Sequence, residues 1–217
     1  MINWAIRYSP IVQWLRLCKP ARVLDVGSGP EGLAMFWRGP VFGVELGYKR
    51  RPLHHATIAS ATALPFADRA FPVVVSSDLL EHVPPAQRRA AVSEMARVAG
   101  TLLLTFPSGA AATRAYQRMA VHYPRGSAWL ADHLDYGLPA ADQVAAWLTS
   151  LGWDIEMVWY ESPGWHARLV LAEDRYGVRW GTWPLMRLLG PWLVPRLKPR
   201  PRGEGLRVFL RAARPPG

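Results

Sequence analysis

The apolar run Val23-Leu24-Asp25-Val26 stops abruptly at Gly27-Ser28-Gly29-Pro30-Glu31-Gly32, a turn dense in glycine. A strand-length segment that ends this way belongs to an α/β sheet whose ligand sits beyond the carboxyl ends of its strands. Gly27 and Gly29 let the chain turn tightly and let its backbone approach a ligand with no Cβ in between. Pro30 suits a first helical turn, where a missing N–H costs nothing. A helix is therefore expected to open near Pro30 and Glu31, with its free N–H groups turned to the same ligand.

Gly27, Gly29 and Gly32 satisfy G-x-G-x-x-G, and Glu45 follows a second apolar run, Val41-Phe42-Gly43-Val44. An acidic residue there is placed to accept hydrogen bonds from ribose hydroxyls. Nicotinamide dehydrogenases and S-adenosylmethionine enzymes share this pattern, so it leaves both open. A nicotinamide oxidoreductase would need a hydride site such as Tyr-x-x-x-Lys, and lysine occurs only at positions 19, 49 and 198.

Two segments downstream separate the readings: Ala63-Leu64-Pro65-Phe66-Ala67-Asp68-Arg69-Ala70-Phe71 and Ser76-Ser77-Asp78-Leu79-Leu80-Glu81-His82-Val83. With Leu24-Asp25-Val26-Gly27-Ser28-Gly29 ahead of them, their order and spacing resemble a class I S-adenosylmethionine-dependent methyltransferase of the methyltransferase type 11 group. The resemblance runs to about Pro107, the first half of the chain. It implies S-adenosylmethionine as cofactor, with Asp25 supporting the glycine turn and the methionine amino end. By the same resemblance Gly27, Ser28 and Gly29 line the cofactor, Glu45 with Leu46 holds the ribose, and Ser60 and Ala61 lie by the adenine. Ser77, Asp78 and Leu79 then form the loop under the methionine and beside the acceptor. Two departures stand out. Ala59-Ser60-Ala61 replaces the family's usual Gly-Asp-Ala, and Pro72 follows Phe71 where the family usually has Asp. They keep open a protein that retains the fold and the cofactor without turnover.

Apolar and helical periods place the other elements. Residues 11 to 18 read as a short helix that Pro20 ends, Arg22 to Val26 and Val41 to Glu45 as strands, and Thr57 to Ala59 as a weak strand. Val73-Val74-Val75 is a buried strand, Ala86 to Val98 a helix that Gly100 stops, and Thr101 to Phe106 a further strand. Val144, Trp147, Leu148 and Leu151 share one helical face, and Asp154 to Tyr160 and Leu206 to Arg211 close the chain as strands. The βαβα order implies a doubly wound, Rossmann-like sheet. The resemblance makes it seven-stranded, mostly parallel with an antiparallel last strand. The connection from Glu161 to Gly205 is far longer than a hairpin needs and carries Trp165, Trp180, Trp183 and Trp192, so residues 161–204 are expected to form an inserted cap within a single domain, 1–217.

Composition sets the remaining bounds. The 217 residues are one domain's worth, and the mean hydropathy of zero suits a soluble chain. The single cysteine, Cys18, is read as a small buried residue, and its solitude favours a reducing cytoplasm. No run reaches the length of a membrane span, and the first residues, Met1-Ile2-Asn3-Trp4, lack a signal-peptide layout. Net charge is +10, with Arg196, Lys198, Arg200, Arg202, Arg207, Arg211 and Arg214 near the end of the chain. These are read as a solvated face, with an anionic substrate or membrane headgroup as the alternative. Without an added RNA-binding module, nucleic acid is not the expected partner. The apolar, basic-edged stretch Trp183 to Val194 reads first as core or dimer contact and second as a site for a lipid-linked acceptor or a membrane surface.

The sequence offers no nucleophile triad, which suits methyl transfer by alignment of donor and acceptor. The acceptor is expected to be a small or lipid-linked molecule, methylated on oxygen. His82 is the candidate general base, since an imidazole titrates near neutral pH. Its alternative is a local structural role in the loop. The spacing Asp78-x-x-Glu81-His82 resembles the metal-chelating segment of some quinone-pathway O-methyltransferases. Loop stabilisation is preferred there and no metal is assigned, other ligands not being evident. His122-Tyr123-Pro124 and His133-Leu134-Asp135-Tyr136-Gly137 fall where the fold places acceptor-facing elements, which makes His133 and Tyr136 candidate substrate contacts or loop residues packed by the Val144 helix.

Overall fold

In a computed structural model that describes residues 2–121, 128–175 and 198–215, the two most apolar segments form the middle of a seven-stranded sheet. The strands are β1 (Val23–Val26), β2 (Val41–Glu45), β3 (His55–Ile58), β4 (Phe71–Ser77), β5 (Ala99–Pro107), β6 (Asp154–Tyr160) and β7 (Arg207–Ala213), in the order β3-β2-β1-β4-β5-β7-β6. β1 to β5 are parallel, while β7 runs antiparallel between β5 and β6. The helices are α1 (Ile2–Cys18), α2 (Pro85–Val98), α3 (Gly109–Ala120), α4 (Ala128–Asp135), α5 (Ala141–Ser150) and α6 (Pro163–Arg175).

Because successive strand side chains point to opposite faces, the central strands feed two apolar layers. Val74, Leu102, Leu104, Val208 and Leu210 pack with Val92 and Met95 of α2 and Val144 and Leu148 of α5. Val73, Val75 and Leu103 face the other way, onto Ala5, Tyr8, Ile11, Val12 and Leu15 of α1. A third cluster, with Ala112, Ala115, Tyr116 and Met119 of α3, Leu130 of α4 and Val170 of α6, closes the end near Leu206.

Several sequence expectations are corrected. The helix placed over 11–18 begins at Ile2 and contains Pro10. Ala5, Tyr8, Ile11, Val12 and Leu15 keep one buried face through the proline, and their packing outweighs the backbone bond that it removes. The glycine turn opens no α-helix. Gly32–Met35 is a 3-10 turn, and Gly39 and Pro40 leave no room for more before β2. Cys18 is exposed, since α1 has run past the sheet by its last turn. α3 and α4 were not assigned from the sequence, although Ala112, Ala115, Tyr116 and Met119 stand at helical spacing. The first part of the 161–204 connection forms α6, which packs against α1 and α3. Trp180, Trp183, Trp192 and the stretch 183–194 lie outside the described residues. Among the described residues, no helix is long and apolar enough to cross a membrane.

Gly32 has a φ of 48°, and a Cβ there would stand 2.5 Å from Asp25 Oδ2. Gly32→Ala is expected to lower unfolding stability by roughly 2–4 kcal/mol, read by urea denaturation, because it adds left-handed strain and displaces a buried carboxylate.

Candidate active site

The parallel strands bring their carboxyl ends to one edge of the sheet. There Gly27 to Gly29 follow β1, Glu45 ends β2, Ser60 and Ala61 lie just past β3, and Ser77 to Leu79 leave β4. The N–H groups of Gly27 and Ser28 both donate to the Val44 carbonyl, at 2.9 and 3.3 Å. Gly27 adopts a φ of 77°, and a Cβ on it would lie 2.9 Å from Leu79 Cδ1, so Leu79 packs directly on the turn. Beneath the turn Asp25 is wholly buried. Its Oδ2 accepts from the Leu33 N–H at 2.8 Å and the Tyr8 hydroxyl at 3.3 Å. Its Oδ1 makes no hydrogen bond among the described residues. Burial pushes this carboxyl up to about 7, against the lowering effect of the two hydrogen bonds.

Glu45 accepts from the Gly29 N–H at 3.1 Å on one oxygen and from the Leu46 N–H at 3.0 Å on the other. Each oxygen keeps lone-pair capacity for a ribose hydroxyl. Leu46 is 76% exposed and Ile58, the register partner of Glu45, is 70% exposed. Two such open apolar side chains at adjacent strand ends suit the face of a flat base. Ile58 was not singled out from the sequence, where it is one β-branched residue in a weak strand. The Ser60 hydroxyl pairs with that of Thr62 at 2.8 Å and caps the Thr62 N–H, while Ser28 packs by the Tyr48 hydroxyl. An orphaned carboxylate oxygen under a Cβ-free turn and a two-oxygen acceptor at the next strand end fit the ammonium and diol of an adenosyl amino acid.

Beyond β4 the chain passes through Asp78, whose φ is 51°, into a 3-10 turn at Leu80–His82. Asp78 is clamped by the buried Arg207: Nε lies 3.0 Å from Oδ1 and Nη2 2.6 Å from Oδ2, with Arg7 Nε 3.1 Å from Oδ2. Burial alone would raise the Asp78 carboxyl, but Arg207 and Arg7 outweigh it and hold the group well below the usual range. Arg207 also donates to Glu161, whose other oxygen lies 3.0 Å from His166 Nδ1. His82 Nδ1 is 2.9 Å from Asp132 Oδ2. The His82 ring stands edge-on to that of His133, with centroids 4.9 Å apart, and His133 Nε2 is 3.7 Å from Glu81 Oε1. Arg88 is buried and ties this turn to the end of α4, donating to the carbonyls of Leu80, Val83, Tyr136 and Gly137.

Comparison with known proteins agrees with this layout. The family of methyltransferase domains matches residues 24–101. An uncharacterized methyltransferase of Mycobacterium sp. strain KMS is 30% identical over 176 residues, covering 74% of this chain and 68% of the relative. The chain is a class I S-adenosylmethionine-dependent methyltransferase. A second relative, an uncharacterized methyltransferase of Mycobacterium marinum, is 29% identical over 198 residues, covering 82% of this chain and 76% of its own. Among solved structures, a methyltransferase of Thermotoga maritima described as a possible histamine N-methyltransferase superposes with a TM-score of 0.60 at 15% identity, covering 99% of this chain and 92% of that one. The magnesium protoporphyrin IX methyltransferase of Synechocystis, solved with S-adenosylhomocysteine, gives 0.57 at 16%, covering 95% and 81%. These neighbours share the fold, and S-adenosylmethionine is the cofactor of the methyltransferase family.

Within this methyltransferase two sequence readings change. Arg207, counted with a solvated basic face, is fully buried and serves the loop after β4. Asp78 is held by arginines, so the Asp78-x-x-Glu81-His82 set does not come together; His133 joins Glu81 and His82 in its place. His133 lies in the last turn of α4 and is buried, rather than on a loop, and Tyr136 follows that helix and is 38% exposed. Asp132 and Arg88 carry no local signal, because the contacts that tie them to this loop and to α4 run to partners about fifty positions away. His122-Tyr123-Pro124 lies outside the described residues.

Asp25 also sets a pH dependence. Its folded carboxyl is raised above the unfolded value, so its contribution to stability is fully present below about pH 4 and declines as pH rises to about 7. Asp25→Asn is expected to remove this decline. In the cofactor-free protein, the stability difference between variant and wild type should shift towards the variant by about 3–4 kcal/mol from pH 4 to pH 8 in urea titrations.

Proposed function

We propose that this methyltransferase moves the methyl group to an oxygen atom of a small or lipid-linked acceptor bound between the loop Ser77–Val83 and α4. The observation that supports oxygen is the pairing of His82 with Asp132 at 2.9 Å. A carboxylate on Nδ1 fixes the ring and leaves Nε2 to receive the hydrogen of an acceptor hydroxyl. His133 and Tyr136 are read as acceptor contacts.

On the cofactor side, Asp25 and the turn Gly27-Ser28-Gly29 hold the methionine end, Glu45 the ribose diol, and Leu46, Ser60 and Ala61 the adenine. Ser77, Asp78 and Leu79 form the floor between donor and acceptor, where Arg207 keeps the backbone of Asp78 in place. S-adenosylmethionine supplies an electrophilic methyl group on its sulfonium. The chain's own contribution is alignment, which supplies about 7–11 kcal/mol when the geometry is good.

Calorimetric titration with S-adenosylmethionine, S-adenosylhomocysteine and NAD tests the cofactor half. Both adenosyl ligands should bind and NAD should not, and Asp25→Ala and Glu45→Ala should each weaken binding roughly tenfold or more, the loss of about one charge-assisted hydrogen bond. An acceptor screen of phenols, carboxylic acids, lipid-linked alcohols and amines tests the other half. His82→Gln should retain S-adenosylhomocysteine binding while lowering kcat about 10²–10⁴-fold on the oxygen acceptor. Turnover confined to amines would overturn the oxygen assignment.

A further inference from the structure

We propose that Glu81, His82 and His133 form a binding site for a divalent first-row transition metal ion beside the acceptor. One carboxylate oxygen of Glu81 and one ring nitrogen of each histidine lie within 4.8 Å of one another. A single ion with ligand bonds of about 2.0–2.2 Å draws three such atoms together with small side-chain movements. Two imidazoles and a carboxylate match zinc, iron(II) or manganese(II), and a three-ligand set leaves coordination positions open.

Glu81 supplies the independent observation. Its side chain is fully buried, yet neither carboxylate oxygen makes a hydrogen bond among the described residues. His133 Nε2 stands 3.7 Å from Oε1, too far for a hydrogen bond. A buried carboxylate without partners is costly: burial drives Glu81 towards its protonated form, and a bound cation is what keeps it ionised there. The arginines nearby are spent elsewhere: Arg207 and Arg7 on Asp78 and Glu161, and Arg88 on four carbonyls. Asp132 on His82 Nδ1 has the form of the outer carboxylate that orients a ligating histidine. Tyr116, 4.4 Å from the His133 ring, packs that ligand from α3.

This site's role rests on the oxygen-acceptor reading above. The matching exogenous ligand is a phenol- or enol-type hydroxyl, whose oxygen enters an open position and whose proton passes to solvent water, as it does when a Lewis acid acidifies a bound hydroxyl. His82 is then a ligand, and the ion takes over the activation of the acceptor.

The test uses the whole chain, freed of metal by chelator dialysis and titrated with Co2+ while visible absorption is followed, then with Zn2+ by calorimetry. One equivalent should bind and give ligand-field bands. Glu81→Gln and His133→Gln should each abolish the step, Asp132→Asn should weaken it roughly 10–100-fold, and the surface control His55→Gln should leave it intact. X-ray absorption of the loaded wild-type protein, which needs no variant to fold, should show two imidazole scatterers and oxygen. No binding by wild-type protein that is folded by circular dichroism, a step unchanged in the Glu81 and His133 variants, or a shell without imidazole overturns the site. S-adenosylhomocysteine titrated into the same sample separates the two ideas: its binding without a metal step sinks the metal site alone, and a metal step without its binding sinks the cofactor reading alone.

Discussion

Arg207, at the start of the antiparallel strand β7, is the buried charge around which the loop after β4 and the end of β6 are organised. It is fully buried, and its guanidinium spans Asp78 at the end of β4 and Glu161 after β6. Three strand ends and the foot of α6, through His166, are thereby locked to one planar group. Two carboxylates facing Arg207 and Arg7 are balanced in charge, which is what allows this ionic cluster to stay out of water. Removing either side would leave a buried charge uncompensated, at about 3–5 kcal/mol.

The clamp also explains how a non-glycine residue keeps a left-handed backbone directly after β4. Asp78 costs on the order of 1–3 kcal/mol in that conformation, and its two guanidinium partners over-determine it. The resulting turn aims Leu79 back onto Gly27 and sends Leu80 to His82 towards α4. One strained residue thus sets the distance between the glycine turn and the Leu80–His82 turn. Arg88 secures the far end of the same loop beside the end of α4, so the segment is held at both ends.

The cofactor side is simpler because it is local. Asp25, Gly27, Gly29 and Glu45 lie in two consecutive strand-turn units, and neighbouring strands in parallel register carry them to one edge. β2 and β6 fall on the boundaries read from the sequence, since their apolar runs are bounded by turn residues. The helix expected after the glycine turn failed for an equally local reason: glycine and proline at both ends of the segment left too few residues to nucleate one. Pro10 lies within α1, and the apolar period of Ala5, Tyr8, Ile11, Val12 and Leu15 continues straight through it.

The sequence by itself determined the sheet, the glycine turn and the placing of Asp25 and Glu45 at its edge, because each depends on residues within a few positions of one another or on strand alternation. Tertiary structure alone decided the surroundings of the loop after β4. Arg207 with Asp78, His133 with Glu81 and Asp132 with His82 are each separated by about fifty positions or more. Nothing in a local pattern distinguishes a buried arginine on β7 from its solvent-facing neighbours, or a histidine in a helix's last turn from one on a loop. Only the packing of α3, α4, α6 and β7 around the loop after β4 turns these scattered charges into partners, because a buried charge is tolerated only where the fold supplies its complement.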